Sequence, residues 1–185
     1  MKVIETSLPG CVVIEPRVFS DERGFFFESW NAGRHAEHGL PTGFVQGNVS
    51  SSARGVLRGL HYQWPGPQGK LVSVLAGEVY DVAVDLRRGS PTFGRWTAVI
   101  ISAQNKRHMW IPEGFAHGFA VLSEGAILSY LCTAAYDPAA DAAIRWNDAA
   151  LAIDWPLTVP LLSDKDAKAP FLEDVAAARL PAYLP

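Results

Sequence analysis

The segment VYDVAVDL, residues 79–86, alternates with a period of two. Tyr80, Val82, Val84 and Leu86 fall on one face, and Val79, Asp81, Ala83 and Asp85 fall on the other. A helix would repeat every three to four residues, so the segment reads as a β-strand. RRGSPTFG, residues 87–94, follows it as a turn-rich loop. On either side of it, short runs rich in Val, Ile, Phe, Trp and Tyr recur at 11–14, 24–28, 44–50, 70–75, 96–102, 108–111, 116–122 and 126–133. Gly, Pro, Asn, Asp and Ser separate them, and this spacing predicts an all-β sandwich or barrel. Helix is expected only after Asn31, ending near Gly39, and over residues 173–179.

The 185 residues suit one domain, 1–185, with a sizeable core. Hydrophobic residues make up 49% and charged residues 19%, an ordinary globular balance. The net charge is −3 and the basic residues are scattered, so nothing resembles a nucleic-acid footprint. No 18-residue apolar run and no signal-peptide core is present, which predicts a cytoplasmic protein without a membrane segment. Cys11 and Cys132 sit in apolar runs and read as small buried hydrophobes.

Residues 55–77, GVLRGLHYQWPGPQGKLVSVLAG, are strand-like yet carry Arg58, His61, Gln63, Gln68 and Lys70. A strand that only builds core has no use for them. Arg58 and His61 have opposite parity, so a regular strand sends them to opposite faces. Gly59 lies between them, where a bulge re-aims one side chain. Positive charge beside an imidazole favours the neutral form that accepts a proton, and a carboxylate would fix its tautomer. Asp81, Asp85 and the segment SDKDA, residues 163–167, are the candidates for that carboxylate. Lys70 opens an apolar run and suits a carboxylate, a phosphate or a developing oxyanion. His35 and His38 on the first helix read as a solvated face rather than a metal pair, and His108 has no assigned role.

The stretch WIPEGFAHGFAVL, residues 110–122, places His117 in a P-x-G-x-x-H pattern that resembles the second motif of the cupin superfamily. Residues 55–77 resemble the first cupin motif with two changes. Gln63 stands where a histidine ligand is expected, and Lys70 where the acidic ligand is. An ammonium has no lone pair to give a metal, so these positions predict a cupin-like jelly roll, a double-stranded β-helix barrel, with no metal and no cofactor.

The blocks DERGFFFESW, QGNVSSSARGVLRGLHYQ, KLVSVLAGEVYDVAVDLRRGSPTFGRW, WIPEGFAHGFAVLSEGAILSYLCTAAYDP, IRWND and SDKDA together resemble the dTDP-4-dehydrorhamnose 3,5-epimerase family. The resemblance covers about residues 1–172 and leaves 173–185 as a tail outside the motifs. It implies a homodimer acting on a dTDP-linked 4-keto-6-deoxyhexose, inverting C3 and C5. It implies His61 as the base, Asp166 as its carboxylate partner, Tyr130 as the acid and Lys70 at the keto oxygen. It assigns substrate contacts to Arg23, Glu28, Gln46, Asn48, Arg58, His117, Lys165 and Asp141, the last where the family often has glutamate. Tyr136 is the weaker acid candidate and otherwise lines the pocket or an interface, while Phe25, Phe27 and Trp64 are candidate stackers for the base. The competing readings are a single-site 3- or 5-epimerase, a 3,4-ketoisomerase, a non-catalytic sugar-binding cupin and a metal-dependent oxygenase.

Overall fold

The computed structural model describes residues 1–183. Among them the strands are β1 (Lys2–Glu5), β2 (Val12–Glu15), β3 (Val18–Asp21), β4 (Gly24–Phe27), β5 (Gln46–Ala53), β6 (Leu57–Gln63), β7 (Lys70–Ala76), β8 (Glu78–Asp85), β9 (Trp96–Ser102), β10 (His108–Ile111), β11 (Phe115–Val121), β12 (Gly125–Cys132) and β13 (Asp141–Ala143). Helix is limited to α1 (Ala32–Glu37), α2 (Asp164–Ala167) and two 3-10 turns. One sheet has the order β1-β2-β10-β7-β12-β5 and a second has β13-β6-β11-β8-β9. Strands β3 and β4 form a separate hairpin. All the pairings between these strands are antiparallel, and strands distant in sequence lie side by side. This is the expected all-β, cupin-like jelly roll.

The alternation of β8 maps onto two cores. Val79 and Ala83 face the first sheet and pack among Val72, Val74, Met109, Ile111, Phe115, Phe119 and Leu128. Val82, Val84 and Leu86 face away and are covered, with Leu60, Tyr62 and Ala116, by Ile144, Leu151 and Leu180. Both faces are therefore buried, and the face with the two aspartates is the interior one.

The tail is not one helix over 173–179. It makes 3-10 turns at Leu172–Asp174 and Ala177–Arg179, with non-helical Val175 and Ala176 between them. The reason is the surface beneath. Val175 and Leu180 pack on the second sheet. The carbonyls of Ala178 and Arg179 accept hydrogen bonds from Trp64 Nε1 at 3.2 Å and from the Tyr62 hydroxyl at 3.1 Å. Leu184 and Pro185 of the tail lie outside the described residues.

Helix α1 begins as expected, with the Asn31 side chain accepting from Arg34 N–H at 3.1 Å. Its histidines do not form a solvated face: His38 is exposed, but His35 is 3% exposed and turned inward. It is near His108, also buried, whose ring lies 6.0 Å from that of Phe27. Burial, aided by the nearby His35, pushes the His108 imidazole down to about 4 from an ordinary 6.5. Above pH 6.5 both folded and unfolded chains hold His108 neutral. Between 6.5 and about 4 only the unfolded chain takes up the proton, and below that both do. His108 thus removes about 3 kcal/mol of stability as the pH falls through this window. Denaturant unfolding at pH 7 and pH 4 should show that much less loss in His108→Leu than in the wild type; equal losses would refute the assignment.

Candidate active site

Along β5, β7 and β12 the residues facing the second sheet form rows. Gln46, Cys132 and Lys70 make one row, and Asn48, Tyr130 and Val72 the next. His61 on β6 and His117 on β11 face them from the second sheet, paired in register with each other. Here the apolar interior gives way to polar side chains. Two adjoining cavities of about 280 and 230 Å³ share His61, Lys70 and Tyr130 as lining. The first adds Gln46, Asn48, Tyr136, Asp141 and Lys165; the second adds Ser50, Arg58, His117 and Phe119.

The bulge expected at Gly59 is present. His117 pairs with His61 and Phe119 with Arg58, so three steps on β6 oppose two on β11. The extra residue turns Arg58 to the same side as His61. Gly59 adopts φ +118°, and a Cβ there would sit 2.5 Å from Gly118 Cα and 2.8 Å from His117 O. Only glycine fits both the conformation and the approach. Arg58 is steadied by Nε donating to Ser52 Oγ at 3.0 Å.

The three candidate carboxylates have separate partners. His61 Nε2 lies 2.5 Å from Asp166 Oδ1. His117 Nε2 lies 2.8 Å from Asp81 Oδ1. Asp85 anchors the 87–94 loop through Arg87, Ser90 and Thr92. Asp166 is held by the start of α2, where Ser163 Oγ donates to its Oδ2 at 2.9 Å. Burial pushes the Asp166 carboxyl up, but hydrogen bonds from His61, Ser163 and the Gly59 backbone outweigh this and hold it below the usual carboxylate range. An ionised Asp166 fixes the tautomer: in the neutral ring of His61 the proton sits on Nε2 and the lone pair on Nδ1.

Across the cavity, burial lowers the Lys70 ammonium, while Cys132, Asp81 and Asp141 pull it back up. Its Nζ lies 6.0 Å from the centre of the Tyr130 ring. Burial, with Cys132 adding to it, raises the Tyr130 phenol against opposing effects of Arg58 and Asn48. The phenol therefore stays protonated at neutral pH. Cys11 and Cys132 are both buried free thiols, as expected.

Of the twelve residues to which the resemblance gives a catalytic or substrate-binding role, ten gather here: His61, Lys70, Tyr130, Asn48, Gln46, Arg58, His117, Asp141 and Lys165 line the cavities, and Asp166 stands behind His61. Lys165 is paired with Asp141. Arg23 and Glu28 are not brought in. Arg23 sits on the exposed β3–β4 hairpin, bound to Asp21, and Glu28 pairs with Arg34 at 3.2 Å. The candidate stackers are elsewhere too: Phe25 and Phe27 lie on the hairpin, and Trp64 packs beneath the tail. Ser50 escaped notice in the sequence. Its buried hydroxyl has no partner and borders the cavity beside Arg58; its parity with Asn48 on β5 was the available signal. Among the described residues no three His, Cys, Asp or Glu side chains cluster as a metal site would need.

The profile of the family described as dTDP-4-dehydrorhamnose 3,5-epimerase matches residues 5–174. The chain belongs to that family. It is an isomerase, a sugar epimerase. It is 59% identical to the dTDP-4-dehydrorhamnose 3,5-epimerase of Pseudomonas aeruginosa over 90% of this chain and 93% of that protein. A solved structure from Legionella pneumophila, dTDP-6-deoxy-D-glucose-3,5-epimerase in complex with dTDP-4-keto-L-rhamnose, superposes with a TM-score of 0.97 at 54% identity, covering 100% and 99% of the two chains. A 4-keto-6-deoxy sugar epimerase from the novobiocin biosynthetic gene cluster of Streptomyces spheroides gives 0.95 at 40% identity, covering 99% and 94%. No helix among the described residues is long and apolar enough to cross a membrane.

Proposed function

We propose that this epimerase inverts C3 and C5 of a dTDP-linked 4-keto-6-deoxyhexose, the dTDP-4-dehydro-6-deoxyglucose to dTDP-4-dehydro-L-rhamnose step. One observation carries the reading. His61 and Tyr130 enter one cavity from opposing sheets. Inversion requires a proton to leave one face of a carbon and return to the other, and one residue cannot reach both.

The hydrogens at C3 and C5 flank the C4 ketone, so loss of either leaves an enolate. His61 Nδ1 takes the proton, with Asp166 holding the ring and stabilising the imidazolium that forms. Lys70 stabilises the enolate oxygen, a contribution of about 3 kcal/mol for a well-placed donor. The Tyr130 hydroxyl delivers a proton to the opposite face. Arg58 supplies positive charge for the diphosphate, and Asn48, Gln46, His117, Asp141 and Lys165 line the sugar's path.

The reading includes a homodimer of single domains, residues 1–185, in the cytoplasm. The hairpin exposes Phe19, Phe25 and Phe26, an apolar surface that a second copy would cover. Arg23 and Glu28 lie on and beside it, so their part in substrate binding runs through that second copy. The two free cysteines fit a reducing compartment.

Wild-type protein incubated with the 4-keto-6-deoxyglucose nucleotide in D2O should show deuterium at both C3 and C5 by NMR. Uptake at one carbon would make it a single-site epimerase of a related deoxysugar, and no uptake by folded protein would overturn the assignment.

A further inference from the structure

Three glutamines around the cavity are committed to the backbone of one turn. Gln68 Nε2 donates to Ala134 O at 2.9 Å, and Gln63 Nε2 to Ala135 O at 3.2 Å. Tyr136 N–H donates to Gln46 Oε1 at 2.8 Å, and Asp137 N–H to Gln63 Oε1 at 2.9 Å. Each of the four consecutive residues 134–137 thus makes one backbone hydrogen bond with a glutamine, the first two accepting and the last two donating. Gln63 also donates to Gly66 O, so both its N–H groups and its carbonyl are engaged. Turning its amide over would set oxygen against two carbonyls, so the orientation is forced. Gln63 is buried and has no capacity left for a substrate.

The turn needs this help. Ala134 and Ala135 have no side chains that could anchor it, and it follows directly on β12, the strand of Tyr130. At its crest Tyr136 is 54% exposed and lines the cavity. The Tyr136 hydroxyl donates to Asp141 Oδ2 at 3.2 Å, the oxygen that also accepts from Lys165. The glutamines therefore fix one wall of the mouth, in which Tyr136, Asp141 and Lys165 hold one another.

We propose that Gln63 and Gln68 are positioning residues: by clamping the 134–137 turn they hold Tyr136 at the mouth and set how tightly substrate is bound, without moving a proton. This rests on the epimerase reading. It accounts for both glutamines of residues 55–77, which the chemistry itself does not use. Methionine matches glutamine in length and shape and removes the amide. Gln63→Met and Gln68→Met are each expected to raise KM about tenfold while kcat stays within about twofold.

A merely structural role would not produce that split, nor the following result. In a Tyr136→Ala background, adding Gln63→Met or Gln68→Met should leave KM where Tyr136→Ala alone put it, because the glutamines act through the ring. Unchanged KM in the single variants, a fall in kcat instead, or KM increases that multiply in the double variants would overturn the proposal. Should Gln63→Met not fold, Gln68→Met, which has one of these bonds to lose, carries the test alone. Wild-type turnover in the same assay separates the two levels: none at all would refute the epimerase reading, whereas turnover with unmoved KM refutes only the clamp.

Discussion

His61→Gln is expected to lose between about a hundredfold and ten-thousandfold in kcat, the span usual for removing a general base. Glutamine suits the test because its Nε2 reproduces the donor that Asp166 accepts. Asp166 is 2% exposed, and a variant without that donor would leave a buried anion one partner short. With the donor kept, the melting temperature should hold while turnover falls, which separates chemistry from folding. Deuterium uptake at C3 and C5 should fall together, because the proposed mechanism assigns one base to both carbons. Loss at one carbon alone would require a second base, and His117, hydrogen-bonded to Asp81 in the adjoining cavity, would be the place to look. A protein that only bound the sugar nucleotide would keep its affinity in the variant and have no turnover to lose.

How much of this was legible in the sequence differs from element to element, for physical reasons. Mostly apolar runs bounded by turn residues declared themselves: 96–102 and 108–111 coincide with β9 and β10. The short strands β1, β3 and β13 carry three or four residues each and gain definition only from their partners. The bulge was readable because Arg58 and His61 could not share a face without one. Residue pattern alone left Asp81, Asp85 and the 163–167 segment open as partners of His61; only the motif resemblance pointed to Asp166, and the packing of α2 against β6 brings that residue to the ring. The two glutamines drew attention as polar residues in a strand-like run, but their partners lie 66–74 positions away. Periodicity carries no information about a contact at that separation. Arg23 and Glu28 mark another boundary: motif resemblance assigns them to the site, yet within one chain the hairpin holds them outside it.

The sharpest division of labour is expected from Tyr130→Phe. The ring stays and only the hydroxyl goes, so packing against Leu128 and the neighbouring core should survive with little change in stability. Abstraction by His61 needs no phenol. The variant should therefore still exchange the C3 and C5 hydrogens for deuterium, because an imidazolium that exchanges with solvent can return a deuteron to the face it came from. Inversion should fall by a hundredfold or more, of the order expected when a general acid is removed. The raised affinity of the Tyr130 phenol for its proton, caused first by burial, sharpens the expectation. At neutral pH the wild-type group is a full donor, so the loss should not vary between pH 6 and 8. Inversion that survived Tyr130→Phe intact would move the acid to Tyr136. That residue is exposed at the mouth and its hydroxyl is already engaged with Asp141, so it is the poorer donor on this geometry. Exchange and inversion lost together would instead mean that Tyr130 assists enolate formation itself. It would then share with Lys70 the stabilisation of the oxygen, and the two walls of the cavity would no longer divide base from acid.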